Sequence, residues 1–145
     1  MANTVSNLES LIKTTIDSAV GYERAAETAK SPGLQQVLRA QAQKRRQTIA
    51  LLNQELVRIG GTTQESGSAL GAAHHVWTRI SDAFGSGDEA AAERVEEGED
   101  YIEEKFSDAL EASDWDPQTR QVLQQAHAEI KEGERLADQL EKQYD

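Results

Sequence analysis

Residues 60–87 read GGTTQESGSALGAAHHVWTRISDAFGSG, and how this stretch folds decides the architecture. The segment 62–68 is polar and carries a glycine, which predicts a loop. Leu70, Ala73, Trp77, Ile80 and Phe84 then recur at helical spacing, predicting a short helix over 69–84 that ends at Gly85-Ser-Gly87. Longer helical patterns lie on both sides. Upstream, Ser6 reads as an N-cap with Glu9 at the third helical position, followed by Leu8, Ile12, Ile16, Ala19 and Ala26, giving a helix over 6–30. Ser31-Pro32-Gly33 ends it and starts another over 32–59, with Leu34, Leu38, Ile49, Leu52, Leu56 and Ile59 on one face and a stop at Gly60-Gly61. Downstream, Asp88 opens a helix over 88–112 with Ala92, Val95, Ile102, Phe106 and Ala109 in its stripe. Asp116-Pro117 repeats the cap-then-proline signal for a last helix over 117–143, carrying Leu123, Ile130, Ala137 and Leu140.

Connections of three or four residues force the first and last pairs of helices into antiparallel hairpins. The middle connection has another task. The second helix is about 39 Å long at ~1.5 Å per residue, so a link with its own helix suits a return along the whole bundle. The expectation is one all-α domain over 1–145, an antiparallel four-helix bundle with a long crossover that contains a shorter fifth helix. A single crossover of this kind is the ferritin-like arrangement.

Composition agrees and narrows the functions. Only 5% of residues are aromatic and two are proline, so the core must come from Leu, Ile, Val and Ala. A formal charge of -11 disfavours nucleic acid and anionic membranes as partners. Without cysteine there is no disulfide, no thiolate nucleophile and no sulfur-ligated metal site. Met1-Ala-Asn-Thr-Val-Ser lacks the basic and apolar regions of a secretory leader, and a cytoplasmic protein is expected. Neither a nucleophile beside a base nor a phosphate-binding loop can be read, so no enzyme activity is expected.

Several segments taken in order resemble a family of bacterial ferritin-like bundles catalogued as a domain of unknown function. They are Leu8-Glu-Ser-Leu-Ile12 and Gly21-Tyr-Glu-Arg-Ala-Ala26, then Gly60-Gly61 and Glu65-Ser66-Gly67, then His74 with Trp77, and Glu97-Gly98-Glu99-Asp100. The resemblance spans nearly the whole chain. It implies a ferritin-like fold without an established biochemical activity.

In di-iron bundles two helices each supply an inward Glu and two supply Glu-x-x-His. Glu23 extends the stripe of the first helix and Glu99 that of the third, matching the first requirement. The other two slots read Arg45-x-x-Thr48 and Lys131-x-x-Glu134, with cations where the first ligands would stand. The expectation is therefore a structural polar layer of Glu23, Arg45, Glu99 and Lys131, with Arg45 paired to Glu23 and no cofactor. The alternative is a partial iron or manganese site for storage or redox work, built from Glu23, Glu99, His127 and Glu134. His74 and His75 point about 100° apart on a helix and cannot easily share one ion. Gly21, Gly98 and Gly133, each close to a Glu inside a helix, suggest close helix approach near a polar layer. The resulting functional expectation is a non-enzymatic bundle acting through its surface, in protein interaction or stress, with a homodimer or an unidentified protein partner left open.

Overall fold

Ser31 and Pro32 start a helix for two separate reasons: the serine hydroxyl accepts the Leu34 amide at 3.4 Å, and proline needs no amide partner in the first turn. The same logic operates at Asp116-Pro117, where the Asp116 carboxylate accepts the Thr119 amide at 2.9 Å. The computed structural model describes residues 2–67, 87–112 and 114–144. Among them are four helices: α1 (Ala2–Thr28), α2 (Pro32–Arg58), α3 (Asp88–Ala112) and α4 (Pro117–Tyr144). The fifth helix expected over 69–84 lies outside the described residues, as do His74, His75 and Trp77.

Helix α1 starts a turn before the expected cap. Ser6 is exposed within it, while Val5 packs on the core and so favours carrying the helix back towards the N-terminus. Helix α2 stops because Gly60 adopts φ +102° and its amide and that of Gly61 turn back onto the Val57 and Leu56 carbonyls at 3.1 and 2.8 Å. This is the Schellman arrangement, in which a left-handed residue closes the last turn.

α1 packs mainly on α2, and α3 on α4; thinner seams join α2 to α4 and α1 to α3, and among the described residues the backbones of the diagonal pairs stay apart, so that α2 reaches α3 through a long side chain. Side-chain contacts give the directions. Arg58 meets Asp116 while Arg45 meets Glu129, so α2 and α4 are antiparallel. Asp88 accepts the Lys30 and Ser31 amides at 3.2 and 3.0 Å, tying the start of α3 to the end of α1. Residues 7–14 line a groove with residues 105–109 at the other end of that seam, so α1 and α3 are antiparallel too. Thus α2 and α3 run the same way, and the chain between them must travel back the length of the bundle, about 40 Å for helices of this size. Its first residues do turn back. Asn53 brackets the Gln64 backbone, donating to its carbonyl at 3.0 Å and accepting its amide at 2.9 Å, and Gly67 lies against Asp17 of α1.

The apolar interior falls into two parts. One, at the α1–α2 turn end, is rich in small side chains: Ala25, Ala26, Ala29, Ala42, Ala92 and Ala137 surround Leu34, Leu38 and Tyr22. The other holds the bulk: Ile12, Ile16, Leu52, Leu56, Ile102, Phe106 and Trp115. Trp115 is covered by the bundle and donates its indole N–H to the Ala109 carbonyl at 2.8 Å. Residues between the two parts are polar, although they are buried, and they define the site.

Candidate functional site

Helical periodicity puts Gln41, Arg45 and Thr48 on one face of α2, turned inward between Ala42 and Ile49. All three are buried, and Arg45 is fully so. A guanidinium has five N–H donors and cannot leave them unsatisfied in an apolar interior. Every neighbouring helix contributes an acceptor. Glu99 of α3 takes a two-point contact, with Arg45 Nη1 to Oε1 at 2.9 Å and Nη2 to Oε2 at 2.7 Å. Ser18 of α1 accepts a second bond from Nη1 at 2.9 Å and donates its own O–H to the Thr15 carbonyl at 2.7 Å. Glu129 of α4 accepts Nε at 3.1 Å and, at the limit of contact, Nη2 at 3.5 Å. The Tyr22 ring lies under the guanidinium, its centroid 5.6 Å away.

Outer members of the layer hold Glu129 in place. Thr48 Oγ1 donates to its Oε1 at 2.8 Å and the Gln41 amide reaches its Oε2 at 3.4 Å. Gly133 makes room: a Cβ there would stand 2.6 Å from Gln41 Nε2 and 2.9 Å from Arg45 Nη2, and would also strike the Glu99 carboxylate. Burial works against the Arg45 charge more than any one neighbour favours it, but the Glu99 carboxylate, through its charge and its hydrogen bonds, together with Glu129 holds the guanidinium above its ordinary pKa. Tyr22 is pushed well up, first by burial and then by the Glu99 charge, so the phenol stays protonated.

The residues proposed from sequence separate into different places. Arg45 and Glu99 meet. The Arg45–Glu23 pairing is corrected: Glu23 is partly exposed on the seam with α2, where Arg46 binds it through two contacts of 2.9 Å, and the inward residue of α1 at this level is Tyr22. Lys131 is exposed and belongs to no layer; the inward acid of α4 is Glu129, two residues earlier. The four residues named for a metal take four different partners. Glu99 holds Arg45, Glu23 holds Arg46, His127 lies 3.2 Å from Glu103 and stacks on Phe106, and Glu134 faces Asp100. Among the described residues no group of three or more His, Asp or Glu side chains is arranged to hold a metal ion. Glu129 was missed by sequence reasoning, yet a signal existed: Glu129 and Gly133 are four apart on one face, an acid and the space cleared beside it.

Two further polar clusters stand apart from the layer. Where α2 ends beside the start of α4, Arg58 bridges Glu55 and Asp116, and Thr119 donates to Glu55. Arg58 holds the Glu55 carboxyl below its ordinary range despite its burial. Along the α3–α4 seam carboxyls crowd one another. Glu96, partly buried and facing Glu141 and Asp138, is pushed up to about 7; Glu134 is pushed up to about 7 by Asp100, with burial adding to it. Glu103 and Glu99 reinforce the effect on Glu134, whereas Asp138 is held low by Lys142.

The family model described as a domain of unknown function (DUF2383) matches residues 3–112, and the chain belongs to that family. No curated protein and no solved structure matches the chain.

Two predictions follow from this geometry. Replacing Arg45 by Met leaves Glu99 buried without a counter-charge and should lower stability by about 3–5 kcal/mol in urea unfolding. Arg45→Lys should also destabilise, since one ammonium cannot make the two-point contact and reach Glu129 together. The carboxyls of Glu96 and Glu134 titrate higher in the folded chain than the ordinary 4.5, so the fold binds extra protons between about 4.5 and 7. Their contribution is complete below 4.5 and is lost as pH rises through 7. The melting temperature should therefore fall between pH 5 and pH 8, and Glu134→Gln should flatten that slope and raise the melting temperature at pH 8. The Glu55 carboxyl has the opposite sign and acts only below 4.5, outside this window.

Proposed function

We propose that this bundle is a non-catalytic, ferritin-like scaffold in which a buried ion-pair layer stands where metal-dependent relatives of the fold would carry a di-iron site. It would act through its surface on a protein or small ligand, in the cytoplasm. The carrying observation is the Arg45 guanidinium, wholly buried and hydrogen-bonded to carboxylates of both α3 and α4. A fixed cation between those two carboxylates occupies the charge niche that a metal would otherwise fill. The remaining donors argue the same way, because His127 is engaged by Glu103 and Phe106 away from Arg45's carboxylates, so the set suits an iron or manganese pair poorly. The path of the chain supports the ferritin-like part: α2 and α3 are parallel and diagonal, which requires one long crossover.

The test is elemental analysis after anaerobic loading with ferrous iron, manganese or zinc in turn. The expected result is no near-stoichiometric metal that depends on the layer, with identical content in the wild type and in Glu99→Gln. One or two ions per chain in the wild type, lost in Glu99→Gln while circular dichroism shows the bundle intact, would replace this reading with a metal-binding one.

A further inference from the structure

The thin seam between α2 and α4 opens into a groove of about 740 Å³ whose floor is the outer edge of the Arg45 layer. Thr48 and Gln41 are buried there, while the Glu129 side chain keeps 21% of its surface exposed. Two features of Glu129 are unequal. Its Oε1 is well served, by Thr48 at 2.8 Å and Arg45 Nε at 3.1 Å; its Oε2 receives only the long contacts from Gln41 and Arg45 at 3.4 and 3.5 Å. The charge is unequal too. Arg45 supplies one positive charge to two carboxylates, and Glu99 already takes its shortest contacts. Two carboxylates thus share one guanidinium, and the one with the longer contacts turns Oε2 to the groove, where a cation can approach it.

Cations on the rim do not fill that role. Arg135 pairs with Glu132 at 2.7 Å in solvent, and Lys44 is exposed and makes no ion pair among the described residues. The groove also shows which cation would fit. A hard metal ion needs several oxygens, and the floor presents one poorly served carboxylate oxygen with a hydroxyl and an amide. Beyond the floor the walls turn partly apolar at Leu51 and Leu136. An ammonium head with a hydrocarbon tail matches both parts, the head on Glu129 and the tail along a leucine.

We infer that the α2–α4 groove binds a small primary alkylamine, its ammonium donating to Glu129 Oε2 and its chain lying against Leu51, on the Gln125 side of the groove. The inference goes beyond the scaffold reading and is tested apart from it, on protein freed of metal with a chelator. The probe is n-hexylamine, followed by calorimetric titration and by the rise in melting temperature. Glu129→Gln keeps the shape and removes the charge, and should weaken binding about tenfold or more, the scale of one charge-assisted hydrogen bond. Gln125→Trp fills the groove from an exposed position on α4 without touching the layer, and should abolish binding at an unchanged melting temperature of the free protein. Glu134→Gln, on the acidic α3–α4 seam, should leave the affinity unchanged.

Four results would overturn the inference: no binding of hexylamine to the wild type; equal weakening in Glu134→Gln and Glu129→Gln, which would mean general attraction to an acidic chain; equal binding of n-hexanol, which would remove the ammonium from the account; and tighter binding of Nα-acetyl-lysine amide than of hexylamine, which would assign the groove to a lysine presented by a protein.

Discussion

A buried guanidinium is the constraint around which this bundle is arranged. Arg45 needs acceptors in five directions, and α1, α3 and α4 must each present one at the same height for the charge to be tolerated. Apolar packing alone would not impose this. The small side chains above the layer and the larger ones below could slide past one another by a helical turn with modest loss, since hydrophobic contact is non-directional. A slid register would separate Arg45 from Glu99 and strand both. The layer therefore contributes less to net stability than to uniqueness: assembling it offsets a large desolvation penalty, and misassembling it leaves that penalty standing. Gly133 belongs to the same constraint, because no side chain at that position leaves room for the groups that meet there.

The layer also divides the surface into unlike faces. Acids dominate the charged residues of α3, and where α3 meets α4 they crowd closely enough to keep protons near neutral pH. On the other side of α4, Glu129 extends the layer to the bottom of an open groove whose rim carries both signs of charge. One helix thus separates a proton-holding seam from a seam that exposes a single fixed carboxylate. Chemistry on either face can change while the buried contacts that set the register remain.

Much of the fold is legible in the sequence because it rests on local rules. Both turns follow from a capping side chain followed by proline, the stop of α2 from paired glycines, and the antiparallel hairpins from connections too short for any other path. The start of α1 is less legible, since Ser6 has the pattern of a cap and only the packing of Val5 shows why the helix begins earlier. The layer is half legible. Arg45 and Glu99 stand in apolar stripes and attract notice as charges in the wrong place. Glu23 does so too, but its stripe drifts towards the α2 seam, and a residue there can reach solvent and Arg46 instead of the centre. In α4 the slot Lys131-x-x-Glu134 starts two residues, about half a turn, past the inward acid Glu129; both residues flank Ile130, and only the packing shows which of them faces Arg45. Which partner an arginine chooses depends on the rotation of its neighbours, and a stripe of leucines and alanines leaves that angle loosely determined.

The most direct test of this account is the double-mutant cycle between Arg45 and Glu99, using Arg45→Met, Glu99→Gln and the pair, followed by urea unfolding. If the buried contact organises the layer, the pair should be far less destabilised than the two single variants added together, with a coupling energy of about 2 kcal/mol or more. Additive losses, with coupling near zero, would mean that the two groups stabilise the bundle independently and that its register is set elsewhere.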